Sequence, residues 1–258
     1  MKPLSQSLVA VAALTLVAAA SPAPAIAQPA AAASATTRSQ VTVVRIKPDM
    51  LNEWIDLQRN EVVPALKKAG IKQRTVWATA VGNSFEYTII TPFEKFALMD
   101  TPGPLVAALG AEAAARLNAK TRKCIEVSRT FMSNRIDDLN IPAGDALVMR
   151  SAVRRAAPGK MQEYLNHQRT DVLPALKKAK AEGKIAGAGI STRGSGAGAD
   201  EVVSTTYYNK FADLDTTPFG PVAQAVGVEA AAKINAKGVG LSTPVQVIIR
   251  RRMADLSF

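Results

Sequence analysis

A twelve-residue segment of this chain recurs with nine positions identical, and that repetition limits what it can fold into. Gln58-Arg59-Asn60-Glu61-Val62-Val63-Pro64-Ala65-Leu66-Lys67-Lys68-Ala69 returns 110 positions later as Gln168-Arg169-Thr170-Asp171-Val172-Leu173-Pro174-Ala175-Leu176-Lys177-Lys178-Ala179. A match of that length implies a duplicated unit. The fold must therefore be one that two copies of the same element order can build, and each feature can be sought in both copies.

In the first copy a β-branched run at 41–46 reads as a strand. A long helical pattern covers 50–69, with Asp49 as its N-cap. Two strand-like runs, 73–81 and 85–91, meet at Gly82-Asn83 and read as a hairpin. After Pro92, Asp100-Thr101-Pro102 opens a helix that is interrupted at Gly110, and 124–133 reads as a closing strand. The second copy repeats this order with strands at 147–155 and 245–251, a hairpin across 185–208, and helices at 159–179 and 211–237. Its hairpin turn has grown into Arg193-Gly194-Ser195-Gly196-Ala197-Gly198-Ala199, which lacks the spacing and lysine of a phosphate loop and reads as a loose turn.

The order is βαββαβ twice, so the expected fold class is α+β, two tandem ferredoxin-like βαββαβ repeats forming an intramolecular dimeric α+β barrel. In this reading the repeats occupy 41–140 and 145–258 and pack sheet against sheet. The element order and the duplication resemble the dimeric α+β barrel superfamily, which includes antibiotic-biosynthesis-monooxygenase-like and NIPSNAP-like proteins. That resemblance implies a range of activities, from cofactor-free oxygenases, haem-degrading enzymes and isomerases to proteins without known activity.

At the other end of the chain, Lys2 precedes an apolar run at 8–20, and Ala25-Ile26-Ala27 supplies the small-x-small pattern read before cleavage. Residues 1–27 are expected to be a secretory signal peptide and 28–40 an Ala-rich leader. The apolar run has 13 residues, short of the ~20 that a membrane span needs. The expected location is a bacterial periplasm or outside the cell. Without Lys2, 31 lysines and arginines remain against 21 acids, a net charge of +10. Export makes nucleic acid an unsuitable partner for that charge, and an anionic small molecule or the cell envelope fits the compartment better. Cys124 is the only cysteine, so no intrachain disulfide can form. The chain is expected to be a monomer with an internal pseudo-dimer or a homo-oligomer.

Candidate site residues come from the repeated helix and the strands. Gln58 falls within the apolar stripe of Trp54, Ile55 and Val62, and Gln168 falls beside Tyr164 and Val172. A buried amide must find partners, so each glutamine either bonds to the sheet or faces a cavity. Arg59 and Arg169 flank them as helix surface, as contacts to the opposite repeat, or as a pocket mouth. Pro64 and Pro174 are expected to kink their helices. Strand alternation pairs Arg150 with Arg154 and Arg250 with Arg252, which could share the sheet face away from the helices as a salt-bridged seam or as an anion-binding barrel interior. Trp77 adds an aromatic in the first copy alone.

His167, the only histidine, reads as an exposed helix residue, with a catalytic base or haem ligand in one copy alone as the alternative. One histidine and one cysteine give zinc too few nitrogen or sulfur ligands, and no Gly-x-Ser-x-Gly elbow is present. No metal and no cofactor are expected. Three readings follow. The first is an exported protein binding a small anionic or aromatic ligand. The second is a cofactor-independent oxygenase or isomerase with a pocket around Trp54, Gln58, Trp77 and Arg59. The third is a structural, envelope-associated protein.

Overall fold

A computed structural model describes residues 36–215 and 220–258. The expected signal peptide and the first part of the leader, up to residue 35, lie outside the described residues. Among the described residues eight antiparallel strands make up the sheet: β1 (Thr36–Ile46), β2 (Thr75–Val81), β3 (Glu86–Pro92), β4 (Ile125–Ile136), β5 (Val148–Ala156), β6 (Gly187–Arg193), β7 (Glu201–Tyr208) and β8 (Ser242–Arg252). Around the ring the order is β1-β3-β2-β8-β5-β7-β6-β4, and β4 pairs again with β1. β1 thus begins at Thr36, inside the stretch read as leader.

This sheet corrects the expected fold class of two tandem ferredoxin-like βαββαβ repeats forming an α+β barrel by packing sheet against sheet. The strands form one closed antiparallel barrel, joined edge to edge across both halves. β2 meets β8 through Trp77↔Arg252, Ala78↔Arg251 and Thr79↔Arg250, and β4 meets β6 through Ser133↔Arg193, Asn134↔Thr192 and Arg135↔Ser191. The physical reason is the cost of open edges. A self-contained four-stranded unit would leave the N–H and C=O groups of β2 and β4 unpaired, and closure satisfies them.

The glycine-rich segment after β6 is not a loose turn. Gly194 N–H donates to Met132 O at 2.8 Å and Met132 N–H donates to Ser195 O at 2.9 Å, extending the β4–β6 seam. Gly196 has φ +89°, and a Cβ there would lie 2.7 Å from Thr130 O, so only glycine brings this backbone so close to β4.

Helices cover the outside. In the first half α1 (Leu51–Leu57) runs into a π turn (Gln58–Val62) and then α2 (Val63–Lys68), followed by α3 (Pro104–Leu109) and α4 (Ala111–Cys124). The second half has α5 (Met161–His167), a π turn (Gln168–Val172), α6 (Leu173–Ala181), α7 (Pro221–Val226) and α8 (Val228–Lys237). The simple proline kink expected at Pro64 and Pro174 is replaced by these π turns. Val63 N–H donates to Gln58 O, and Leu173 N–H to Gln168 O, five residues back. The wider turn brings each proline in as the first-turn residue of the following α-helix, where its missing N–H costs little. The repeated twelve residues therefore encode a π turn in both copies.

The hydrophobic cores lie between helices and sheet. One joins Val44, Ile46, Trp54, Val76, Tyr87 and Leu117 with Leu256 from the turn after β8. Another joins Tyr164, Leu165, Ile190 and Val202 with Leu139 from the turn after β4. Each half's last strand thus sends a leucine into the other half's core, where burying it contributes about 2 kcal/mol. No helix among the described residues is long and apolar enough to cross a membrane.

Candidate functional site

The first half opens a cleft of about 530 Å³ between the outer sheet face and helices α1 to α4. β1 supplies Gln40, Thr42 and Val44, the helix and π turn supply Trp54 and Gln58, and α4 supplies Asn118 and Thr121. The Trp54 ring lies 4.6 Å from Tyr87 at a 43° tilt, fixed against β3.

Gln58 is 3% exposed, and its Oε1 accepts a hydrogen bond of 2.7 Å from Arg74 Nη2. Arg74, also buried, donates through Nη1 to Leu256 O at 3.3 Å, and its backbone pairs with Phe258. Burial lowers the Arg74 guanidinium to about 10. With Oε1 taken, the Gln58 amide is left with Nε2 as a donor at the cleft, and a cation behind Oε1 strengthens that donor. Thr121 Oγ1 is buried with no hydrogen-bond partner among the described residues. The cleft therefore combines an apolar wall backed by the buried Trp54 ring, an amide donor and an unsatisfied hydroxyl. Its lining residues include no carboxylate and no imidazole.

The second half departs from this pattern. Gln168 is buried, but Ala188 stands where Arg74 does: Arg74 exchanges backbone hydrogen bonds with Phe258, and Ala188 exchanges them with Ile141. Tyr164 takes the place of Trp54, and its hydroxyl lies 3.2 Å from Ser204 Oγ. Equivalent registers, Arg45↔Glu86 and Arg155↔Glu201, align Arg150 with Gln40 and Arg154 with Val44. Arg150 and Arg154 thus face the helices, and Arg154 Nε donates to Ser242 Oγ at 2.8 Å. His167 is 9% exposed rather than an open helix residue. Its Nδ1 lies 3.1 Å from Asp171 Oδ2, and Gly238 leaves room for its Nε2.

Arg250 and Arg252 occupy the opposite, interior face. Arg250 pairs with Met149 while Arg150 pairs with Ile249, so the four strand arginines are not brought together. Trp77 is also interior and reaches Tyr207, across the barrel on β7, at 6.0 Å. Trp77 is thereby separated from the cleft that holds Trp54.

Arg59 and Arg169 reach across the halves. Arg59 bonds Asp255, in the turn after β8, and Asp56 on its own helix, while Arg169 Nε donates to Asp138, in the turn after β4, at 2.6 Å. Sequence reasoning missed Arg74, Asp138 and Asp255. The two aspartates carried a signal, because Asp138-Leu139 and Asp255-Leu256 follow the last strand of each copy.

Comparison with protein-family models and with curated proteins gives no match. Solved structures match over most of the chain. A proposed monooxygenase from Lactobacillus acidophilus has a TM-score of 0.52 at 11% identity, covering 86% of this chain and 96% of that one. An anthrone oxidase-like protein has a TM-score of 0.51 at 12% identity, covering 84% and 91%. A proposed chlorite dismutase has a TM-score of 0.51 at 12% identity, covering 86% and 96%. These neighbours are dimeric α+β barrel proteins of monooxygenase-like and chlorite-dismutase-like type, related to but distinct from the antibiotic-biosynthesis-monooxygenase-like and NIPSNAP-like group expected from the sequence. At such identities the likeness extends to the fold alone.

Proposed function

We propose that this chain is an exported binding protein whose first-half cleft takes a small, flat, largely apolar molecule with an acceptor oxygen. The observation that carries the reading is the Arg74–Gln58 pair, which presents one amide donor beside Trp54 in a cleft of about 530 Å³. An aromatic carbonyl or carboxylate compound would lie against the apolar lining of Val62, Leu66, Ile89 and Leu105, close to the buried edge of Trp54, and accept from Gln58 Nε2 and Thr121 Oγ1. Export rests on the residues before Gln28, and the mature chain should begin there.

The test is mass spectrometry of small molecules extracted from the full chain purified from a periplasm, beside the Gln58→Glu variant. Glutamate keeps a partner for Arg74 but replaces the donor with an acceptor. Recovery of one aromatic, oxygen-bearing compound with the parent, reduced about tenfold or more in the variant, supports the reading. Equal recovery from both, or none from either, contradicts it.

A second reading, a cofactor-independent oxygenase or isomerase, draws support from the same pair. A cation relayed through an amide would stabilise an enolate oxygen forming on a bound substrate. The cleft lining provides no base to create that enolate, so binding is the leading reading. Oxygen consumption on adding the extracted compound would separate the two.

A further inference from the structure

The barrel interior holds more cationic groups than its own contacts satisfy. Arg250 on β8 is 6% exposed, and its Nε is buried with no hydrogen-bond partner among the described residues. Its neighbours on the interior face have the same deficit. The Nε atoms of Arg193 and Arg252 and the hydroxyls of Thr79 and Thr88 are buried without partners. The strand registers set all five on one face. Thr79 pairs with Arg250, Thr88 and Arg252 both pair with Trp77, and Arg193 pairs with Ser133 on the β4–β6 seam. The Trp77–Tyr207 contact, between strands separated by β8 and β5, identifies that face as the lumen.

The nearby carboxylates are already engaged. Glu201 holds Arg193 through Nη1, and Asp145 holds Arg252 Nη1 at 2.8 Å. Glu86 acts on Arg250 through its field and accepts from Asn83 Nδ2 at 3.1 Å, while Arg193 repels the same guanidinium. Burial consequently lowers Arg250 to about 10. A buried guanidinium without a bonded anion is costly, and several unsatisfied donors around it make the arrangement suited to a guest with several acceptors.

We propose that the lumen binds a small oxyanion, a carboxylate or a phosphate, between Arg250 and the free Nε atoms of Arg193 and Arg252, with Thr79 and Thr88 as hydroxyl donors. Planar guanidinium groups match the paired oxygens of such anions. This site lies on the opposite sheet face from the cleft and does not depend on the cleft's ligand.

The experiment is thermal unfolding and calorimetric titration of the mature chain with potassium phosphate and with sodium succinate, each against chloride at matched ionic strength. A saturable rise in Tm with phosphate, with succinate or with both supports the site, and the responding anion names its chemistry. Arg250→Lys should bind about tenfold more weakly, because an ammonium loses the planar fork. Should that variant fail to fold, Thr79→Val answers instead, since it removes only an unsatisfied hydroxyl and should raise the Tm of the free protein while weakening the anion. Gln58→Glu should titrate as the parent does, which separates this site from the cleft. Responses no greater than with chloride, or a parent-like response from both lumen variants, would overturn the proposal.

Discussion

The two halves of the barrel share a helix sequence and a π turn, yet they use the space beneath that helix differently. In the first half Trp54 lies against Tyr87, Gln58 is bound to Arg74, and a cleft remains open beside them. In the second half Tyr164 bonds to Ser204, Arg150 and Arg154 stand where Gln40 and Val44 line the cleft, and His167 is joined to Asp171. The shared residues build the scaffold, and the residues that differ give one half an amide donor backed by a cation. The two halves keep the helix alike while the face below it differs.

The largest effects should come from the leucines that cross between halves. Leu256→Ala and Leu139→Ala should each cost about 3 kcal/mol in denaturant unfolding, since both are deeply buried. Hydrogen exchange should show loosening in α1 and α2 for Leu256→Ala and in α5 and α6 for Leu139→Ala. Loss confined to the half that supplies the leucine would break the reciprocal arrangement.

Next come the glutamines, which should behave unequally. Gln58→Leu leaves Arg74 Nη2 bare in a buried site and should cost about 2 kcal/mol, whereas Gln168→Leu should stay within about 1 kcal/mol of the parent. Equal costs in urea titrations would remove the asymmetry.

Asp171 sharpens the contrast from the other side. Hydrogen bonds from Lys237, and then from Thr170 and His167, hold its carboxyl down at about 2. A depressed carboxylate stabilises the fold fully above its ordinary range near 4 and loses that contribution as pH falls through about 2. Asp171→Asn should therefore lower Tm at neutral pH, and its gap from the parent should close between pH 4 and 2. A gap independent of pH would contradict the assignment. The smallest effects belong to Arg59→Ala and Arg169→Ala, each under about 1 kcal/mol, with Arg169 the larger because its ion pair is less exposed.

The positions of the strands and helices in each half were legible in the sequence. Closure into one barrel was not, because edge pairing depends on backbone groups that carry no residue signature. The π turns were hidden for a similar reason. Proline announces a break in hydrogen bonding, but whether the chain kinks or widens by one residue is decided by packing on both sides. Gln58 stood out as a polar residue in an apolar stripe. Its partner Arg74 did not, since it lies between helix and strand and its counterpart is Ala188, so no polar residue recurs there in the second half. Arg250 and Arg252 were assigned a common face by alternation, and the register sets them inside the barrel, apart from Arg150 and Arg154.

The chain's two tryptophans allow the central claim, a ligand in the first-half cleft, to be tested directly. Trp54 lines the cleft and Trp77 faces the lumen. Fluorescence titration with menadione, a flat aromatic compound with acceptor oxygens, should quench the Trp77→Phe variant saturably through Trp54. The Trp54→Phe variant, with only Trp77 left, should show no saturable quenching. Saturable quenching of Trp77 alone, or of neither residue, would contradict a ligand site beside Gln58.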